Sequence, residues 1–95
     1  MARVARHIFV SGRVQGVAFR WYTQEKATRL GVSGWARNLR DGRVEAHLEG
    51  EDAAMKTMLA WLKKGPGLAR VTNLDVRERE PEGYGAFEIR PSFPV

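Results

Sequence analysis

The 95-residue sequence has no cysteine, only two histidines and no long apolar run. Without cysteine there are no disulfides and no thiolate chemistry, and a cysteine-based phosphatase is excluded. His7 and His47 both fall in β-prone runs, outside any spaced ligand motif with carboxylates. Ordinary strand roles are therefore expected of them, and no metal. Nothing approaches the roughly 18 apolar residues that span a bilayer. The opening MARVARHIFVSG lacks the apolar stretch of roughly 7–15 residues that marks a signal peptide. A cytoplasmic protein with no membrane partner is expected. Internal repeats, low-complexity tracts and charged tails are also missing.

What is present fits one globular domain, residues 1–95, with 43% hydrophobic and 28% charged residues. The net charge of +5 favours anionic partners in general. Most cations, the short cluster Arg37, Arg40 and Arg43 included, read as solvated surface. Arginine outnumbers lysine 12 to 4, which fits either a GC-rich genome or a heat-adapted source.

Along the chain, His7 to Ser11 is β-rich and bounded by Gly12. Phe19 to Leu30 has apolar positions at 19, 22, 27 and 30, with Gly31 placed as a C-terminal cap, and predicts a helix. Val32 to Leu39 and Arg43 to Leu48 read as strands joined by a turn at Asp41-Gly42. A second helix opens at Glu51-Asp52, lines one face with Met55, Met58, Leu59 and Leu62, and closes at Lys63-Lys64 before Gly65-Pro66. The methionines are core filling in this reading, and Trp21, Trp35 and Trp61 are packing residues. Glu49, Glu51 and Asp52 are assigned to the helix start, where its dipole favours them. Val71 to Arg79 and a short Ala86 to Arg90 complete the strands. The order β-α-β-β-α-β with a small extra strand is the split βαβ, ferredoxin-like α+β arrangement. Two helices then cover one face of an antiparallel sheet.

In this topology VSGRVQGVAFR, residues 10–20, carries the first strand through a glycine turn into a helix. Gly16 can take backbone angles closed to other residues, and a helix N-terminus offers free N–H donors. Arg20 adds a permanent charge whose planar fork matches phosphate oxygens. The stretch is a phosphate cradle or a plain strand-to-helix connection with a solvated arginine. Asn38, at the end of the second strand, is expected at the same sheet end, roughly 10 Å away across two strand spacings. Its competing role is to stabilise the following hairpin through its own backbone.

GRVQGVAFR at 12–20 and GWARNLRDGRVEAHLEG at 34–50 resemble the two motifs of the acylphosphatases, and the resemblance covers nearly the whole chain. Gly-Arg-Val-Gln-Gly-Val and Phe-Arg match the first; Gly34-Trp35, Asn38, Gly42, Val44 and Gly50 match the second. Ala18 and Ala36 fall where the family varies, and FEIRP near the C-terminus is family-like but less specific. The resemblance implies a hydrolase acting on the carboxyl-phosphate bond of acyl phosphates, with inorganic phosphate as product. It implies phosphoryl binding by the backbone amides of Gln15, Gly16, Val17, Ala18 and Phe19 and by Arg20, with Asn38 orienting the attacking water. Arg20 and Asn38 are then the catalytic pair. Such a site needs neither cofactor nor metal, because an acyl phosphate already carries a good leaving group and its hydrolysis is mostly positioning and charge stabilisation. Arg37, Arg40 and Arg43 could draw a dianion toward Asn38.

The rival is an RRM-like RNA-binding module, which shares the element order; IFVSG and GYGAF at 83–87 hint at its motifs. Its aromatic motif belongs on the third strand, and here that strand reads RVEAHL, so no specific nucleic-acid partner is expected. A domain of the carbamoyl-phosphate-hydrolysing kind, fused to hydrogenase-maturation proteins, is a third reading. The chain ending at Val95 favours a stand-alone enzyme, with monomer as the default.

Overall fold

Alternation, loop chemistry and caps build the elements in turn, and the computed structural model describes residues 2–92. In β1 (Arg3–Arg13) every second residue turns to the helices: Ile8 and Val10 enter the core, with Val4 against its edge. The strand starts earlier than the His7 read from the sequence. Arg3 to Arg6 extend the ladder opposite Glu51 to Leu48; the two arginines, three apart, break the apolar alternation and had hidden the strand's start. A glycine-rich loop leads to α1 (Phe19–Leu30), which ends on Gly31; there a left-handed φ of 74° lets its N–H reach the Ala27 and Thr28 carbonyls.

β2 (Ser33–Asn38) and β3 (Val44–Glu51) are joined through the Asp41-Gly42 turn. Asp41 accepts the Arg43 N–H at 3.1 Å, and Gly42 supplies a φ of 99°. β3 runs to Glu51, so Glu49 lies inside a strand. This corrects its assignment to the start of α2 (Asp52–Lys64). α2 has Asp52 in its first turn, Lys63 and Lys64 in its last, and buries Met55, Met58 and Leu62. β4 (Arg70–Arg79) and β5 (Phe87–Ile89) complete the sheet.

The strand order is β4-β1-β3-β2-β5. The first four strands pair antiparallel, as the ferredoxin-like arrangement requires. β5 joins the β2 edge in parallel, so the complete sheet is mixed and not wholly antiparallel as expected. Both helices lie on one face. Ile8, Val10, Ala46 and Leu48 meet Phe19 and Ala27 of α1 and Met55, Met58 and Leu62 of α2 there. Each of these large side chains costs roughly 2–5 kcal/mol if cut to alanine.

The opposite face carries an ionic and aromatic layer. Glu45 accepts from Arg37 at 2.6 Å and is paired with His7 at 2.8 Å, while His47 meets Glu49 at 2.7 Å. Both histidines are strand residues, as expected, and each is held by one glutamate. The Glu49 carboxylate, fully buried, also accepts the backbone N–H groups of Glu82, Gly83 and Tyr84. Burial alone would raise its pKa. The Glu82 amide, the His47 ring and the amides of Gly83 and Tyr84 outweigh it and hold the carboxyl below its usual range.

Candidate active site

Val10 and Asn38 both pair with Val44, from opposite sides of β3. β1 and β2 therefore run the same way and deliver the glycine loop and Asn38 to one sheet end, as the topology predicts. Between Ser11 and Gly12 the β1–β4 register shifts. Gly12, with a φ of 119°, lies so close to β4 that an added Cβ would sit 2.0 Å from the Arg70 carbonyl oxygen. Only glycine fits there.

Beyond it the chain turns through two left-handed residues, Gly16 at φ 75° and Ala18 at φ 60°. Ala18 is the N-cap of α1; no side chain caps the helix, and its first turn holds no acid. Neither device therefore takes up the backbone donors of this stretch. Among the described residues, the first N–H after Val14 to reach a backbone acceptor is that of Tyr22, on the Ala18 carbonyl at 3.1 Å. A left-handed alanine costs roughly 1–2 kcal/mol, which is strain of the kind that marks binding turns.

The Gln15 side chain fixes this loop to the β2–β3 hairpin. Its Nε2 donates to the carbonyls of Leu39 at 2.8 Å and Arg43 at 2.9 Å. Sequence reading gave Gln15 a backbone role only; the side-chain brace had no local signal, because its partners lie far along the chain. Half-buried Arg20, in the first turn of α1, donates from Nη1 to the Arg90 carbonyl at 3.2 Å. Arg90 is anchored in turn: its N–H reaches the Ala36 carbonyl at 2.8 Å, and its guanidinium stacks over Trp35 at 4.6 Å.

Asn38 Oδ1 is buried and has no hydrogen-bond partner among the described residues. The hairpin does not use it, since Asp41, Gln15 and backbone pairs satisfy the turn. The stabilising role that competed for Asn38 thus falls to its neighbours. A buried amide oxygen left unpaired costs free energy unless something else donates to it.

Gln15, Gly16, Ala18, Phe19, Arg20 and Asn38 line one hollow of about 210 Å³. Val17 stands apart from them, its side chain against the hydrophobic core, so only its backbone belongs to the loop. A larger hollow of about 520 Å³ between α2 and β4 is lined by Leu59, Val71, Leu74 and Val76 with Lys63, Thr72 and Asn73, and contains neither the glycine loop nor a helix N-terminus. Of the arginines given a steering role, Arg37 is paired with Glu45, and Arg43 with Asp41 at 2.8 Å. Asp41 is held below its usual pKa range, chiefly by the Arg43 N–H.

The tryptophans divide. Trp35 is buried and Trp61 half-buried beneath Lys26, but Trp21 is 53% exposed and lines the hollow, contrary to the packing role expected for it. Among the described residues no three His, Cys, Asp or Glu side chains converge as metal ligands would. Among the described residues no helix is long and apolar enough to cross a membrane.

Fold and hollow together define a class: a ferredoxin-like domain with a donor-lined recess at the end of its first strand. Comparison with known proteins narrows the class to a family. The acylphosphatase family model matches residues 6–89, and the chain belongs to the acylphosphatase family. It is 48% identical over 89 residues to an acylphosphatase of Thermococcus kodakarensis, covering 94% of this chain and 98% of that one. It is 55% identical over 89 residues to an acylphosphatase of Anaeromyxobacter dehalogenans, covering 93% and 96%. The solved acylphosphatase of Coxiella burnetii superposes with a TM-score of 0.89 at 39% identity, over 93% of both chains.

Proposed function

We propose that this protein hydrolyses acyl phosphates to a carboxylate and inorganic phosphate. The phosphoryl oxygens are held by the backbone amides of Gln15 to Phe19 and by the Arg20 guanidinium; Asn38 orients the water. The observation that carries this reading is Asn38 Oδ1, a buried acceptor without a donor, in the hollow that Arg20 also lines.

A water molecule that donates one hydrogen to that oxygen has its lone pairs turned away from it, toward the recess. Its oxygen attacks phosphorus in line, the phosphorus–oxygen bond to the acyl group breaks, and the bonding pair leaves with the carboxylate. The water's protons are shared between phosphate and solvent. A carboxylate departs without a general acid, so the demands are position and charge stabilisation, which amides and one guanidinium supply. The Arg90 carbonyl leaves the remaining Arg20 donors for phosphate oxygens.

The reaction in this reading needs no metal and no cofactor. In this reading the protein works as a single-domain cytoplasmic monomer without a nucleic-acid partner; the near-complete mutual coverage with its relatives supports the single-domain part.

Turnover of benzoyl phosphate by wild type, Arg20→Ala and Asn38→Ala, with chelator present and folding checked by circular dichroism, tests the proposal. Wild-type turnover that persists in chelator and falls at least a hundredfold in both folded variants supports it. Absence of turnover above background overturns the enzyme reading; loss of turnover in chelator alone overturns the metal-free one.

A further inference from the structure

Four large hydrophobic side chains are exposed among the described residues: Trp21, Leu68, Val76 and Ile89. Two of them, Trp21 at 53% and Ile89 at 38% exposure, line the hollow that holds Arg20 and Asn38. Trp21 follows Arg20 directly on α1, and Ile89 precedes Arg90, whose carbonyl holds that arginine. The two apolar groups therefore flank the Arg20–Arg90 bond, from a helix and from a strand.

Trp21 is braced from behind. Its ring meets Tyr22 edge-on at 5.1 Å, and Tyr22 abuts Gly67, where even an added Cβ would lie 3.2 Å from the tyrosine ring. An indole exposed yet backed in this way is a preformed face, with little side-chain freedom left to lose when a ligand covers it.

We infer that Trp21 and Ile89 form the subsite for the acyl group, and that it selects flat apolar acyl groups over small or strongly hydrated ones. The inference rests on the hydrolysis proposed above. With phosphate among the loop amides and Arg20, the acyl carbon and its substituent lie one oxygen bridge farther out and must cross the rim. Arg20 is the sole charged residue lining the hollow; Gln15 is spent on the Leu39 and Arg43 carbonyls and Asn38 on the attacking water, so Trp21 and Ile89 offer the acyl group apolar surface at the rim. An aromatic one covers indole and isoleucine surface that is otherwise wet.

The test compares kcat/KM for benzoyl phosphate with that for acetyl and carbamoyl phosphates in wild type, Trp21→Ala, Trp21→Phe and Ile89→Ala. Wild type is expected to prefer benzoyl phosphate. That preference should fall roughly tenfold in Trp21→Ala, the effect of one aromatic face returned to water, and largely recover in Trp21→Phe. Calorimetric binding of phenylphosphonate and methylphosphonate, which cannot be hydrolysed at phosphorus–carbon, runs alongside. A preference that is unchanged by Trp21→Ala, or a wild type that favours acetyl or carbamoyl phosphate, overturns the subsite. If wild type hydrolyses none of the three, the proposed reaction fails. The phosphonates then decide the subsite alone: tighter, Trp21-dependent binding of the phenyl compound sustains it, and equal binding overturns it.

Discussion

The Gln15 side-chain amide donates to the carbonyl of Leu39 at 2.8 Å, which joins the loop after β1 to the hairpin that carries Asn38. A second donation, to Arg43, makes the brace two-pronged. One neutral side chain thus ties the loop amides to the hairpin that carries Asn38.

Gln15→Ala should lower stability by about 1–3 kcal/mol, since it removes two hydrogen bonds, while each carbonyl keeps one backbone donor. Phosphate should bind more weakly at the same time, because the loop loses its reference to the hairpin. Gln15→Glu should be worse, as it sets a carboxylate against two carbonyl oxygens. Urea midpoints and phosphate titrations check both; an unchanged midpoint in either variant contradicts the brace.

Asn38→Ala should separate activity from stability. The variant removes an acceptor that has no donor among the described residues, so no hydrogen bond to Oδ1 is lost and thermal stability should hold or rise slightly. Turnover should fall at least a hundredfold. A clear drop in melting temperature would mean that Asn38 supports the hairpin after all.

Acid should destabilise the protein partly through Glu49. Its folded pKa lies below the ordinary value of about 4.5, so the unfolded chain binds the proton first as pH falls. The stabilisation is complete above that value and is lost as pH drops through the depressed folded value. Glu49→Gln should flatten this part of the stability–pH curve and cost about 1–3 kcal/mol at neutral pH through its imperfectly matched amide. Denaturation followed from pH 7 down to pH 3 distinguishes the curves; parallel curves exclude the assignment.

Ala18 and Gly12 should respond in opposite senses. Ala18→Gly relieves a left-handed φ but frees the unfolded chain, so the net effect should lie between zero and a gain of about 1 kcal/mol. Gly12→Ala should be severe, about 3 kcal/mol or more, because its Cβ would meet the β4 backbone and no rotamer avoids that. Melting temperatures of the two variants settle both, and a mild Gly12→Ala would require the β1–β4 bulge to yield.

Local signals made most of the fold legible. α2 announces itself through acids, spaced methionines and leucines, lysines and then Gly65, and every one of those features serves in the structure. Asn38 and Arg20 were legible as neighbours because strand order alone brings their elements to one end. Long-range polar contacts were not legible. Glu49 reads as a helix-start acid, yet its partners are His47 and three amides around Gly83, beyond the reach of any sequence pattern. Parallel addition of β5 was hidden for the same reason, since a three-residue strand carries no mark of its direction. Trp21 was misread because its helical position does not distinguish a core ring from a rim ring. Its burial is decided by where the hollow opens.

The bond from Arg20 to the Arg90 carbonyl spans seventy residues of chain. A polypeptide that has left the ribosome only through α2 already carries both motif residues, but no strand yet holds the arginine and no Ile89 closes the rim. The wall around Arg20 is therefore completed by the last strand, and only when the segment through Arg90 docks beside β2 does the arginine gain its carbonyl partner.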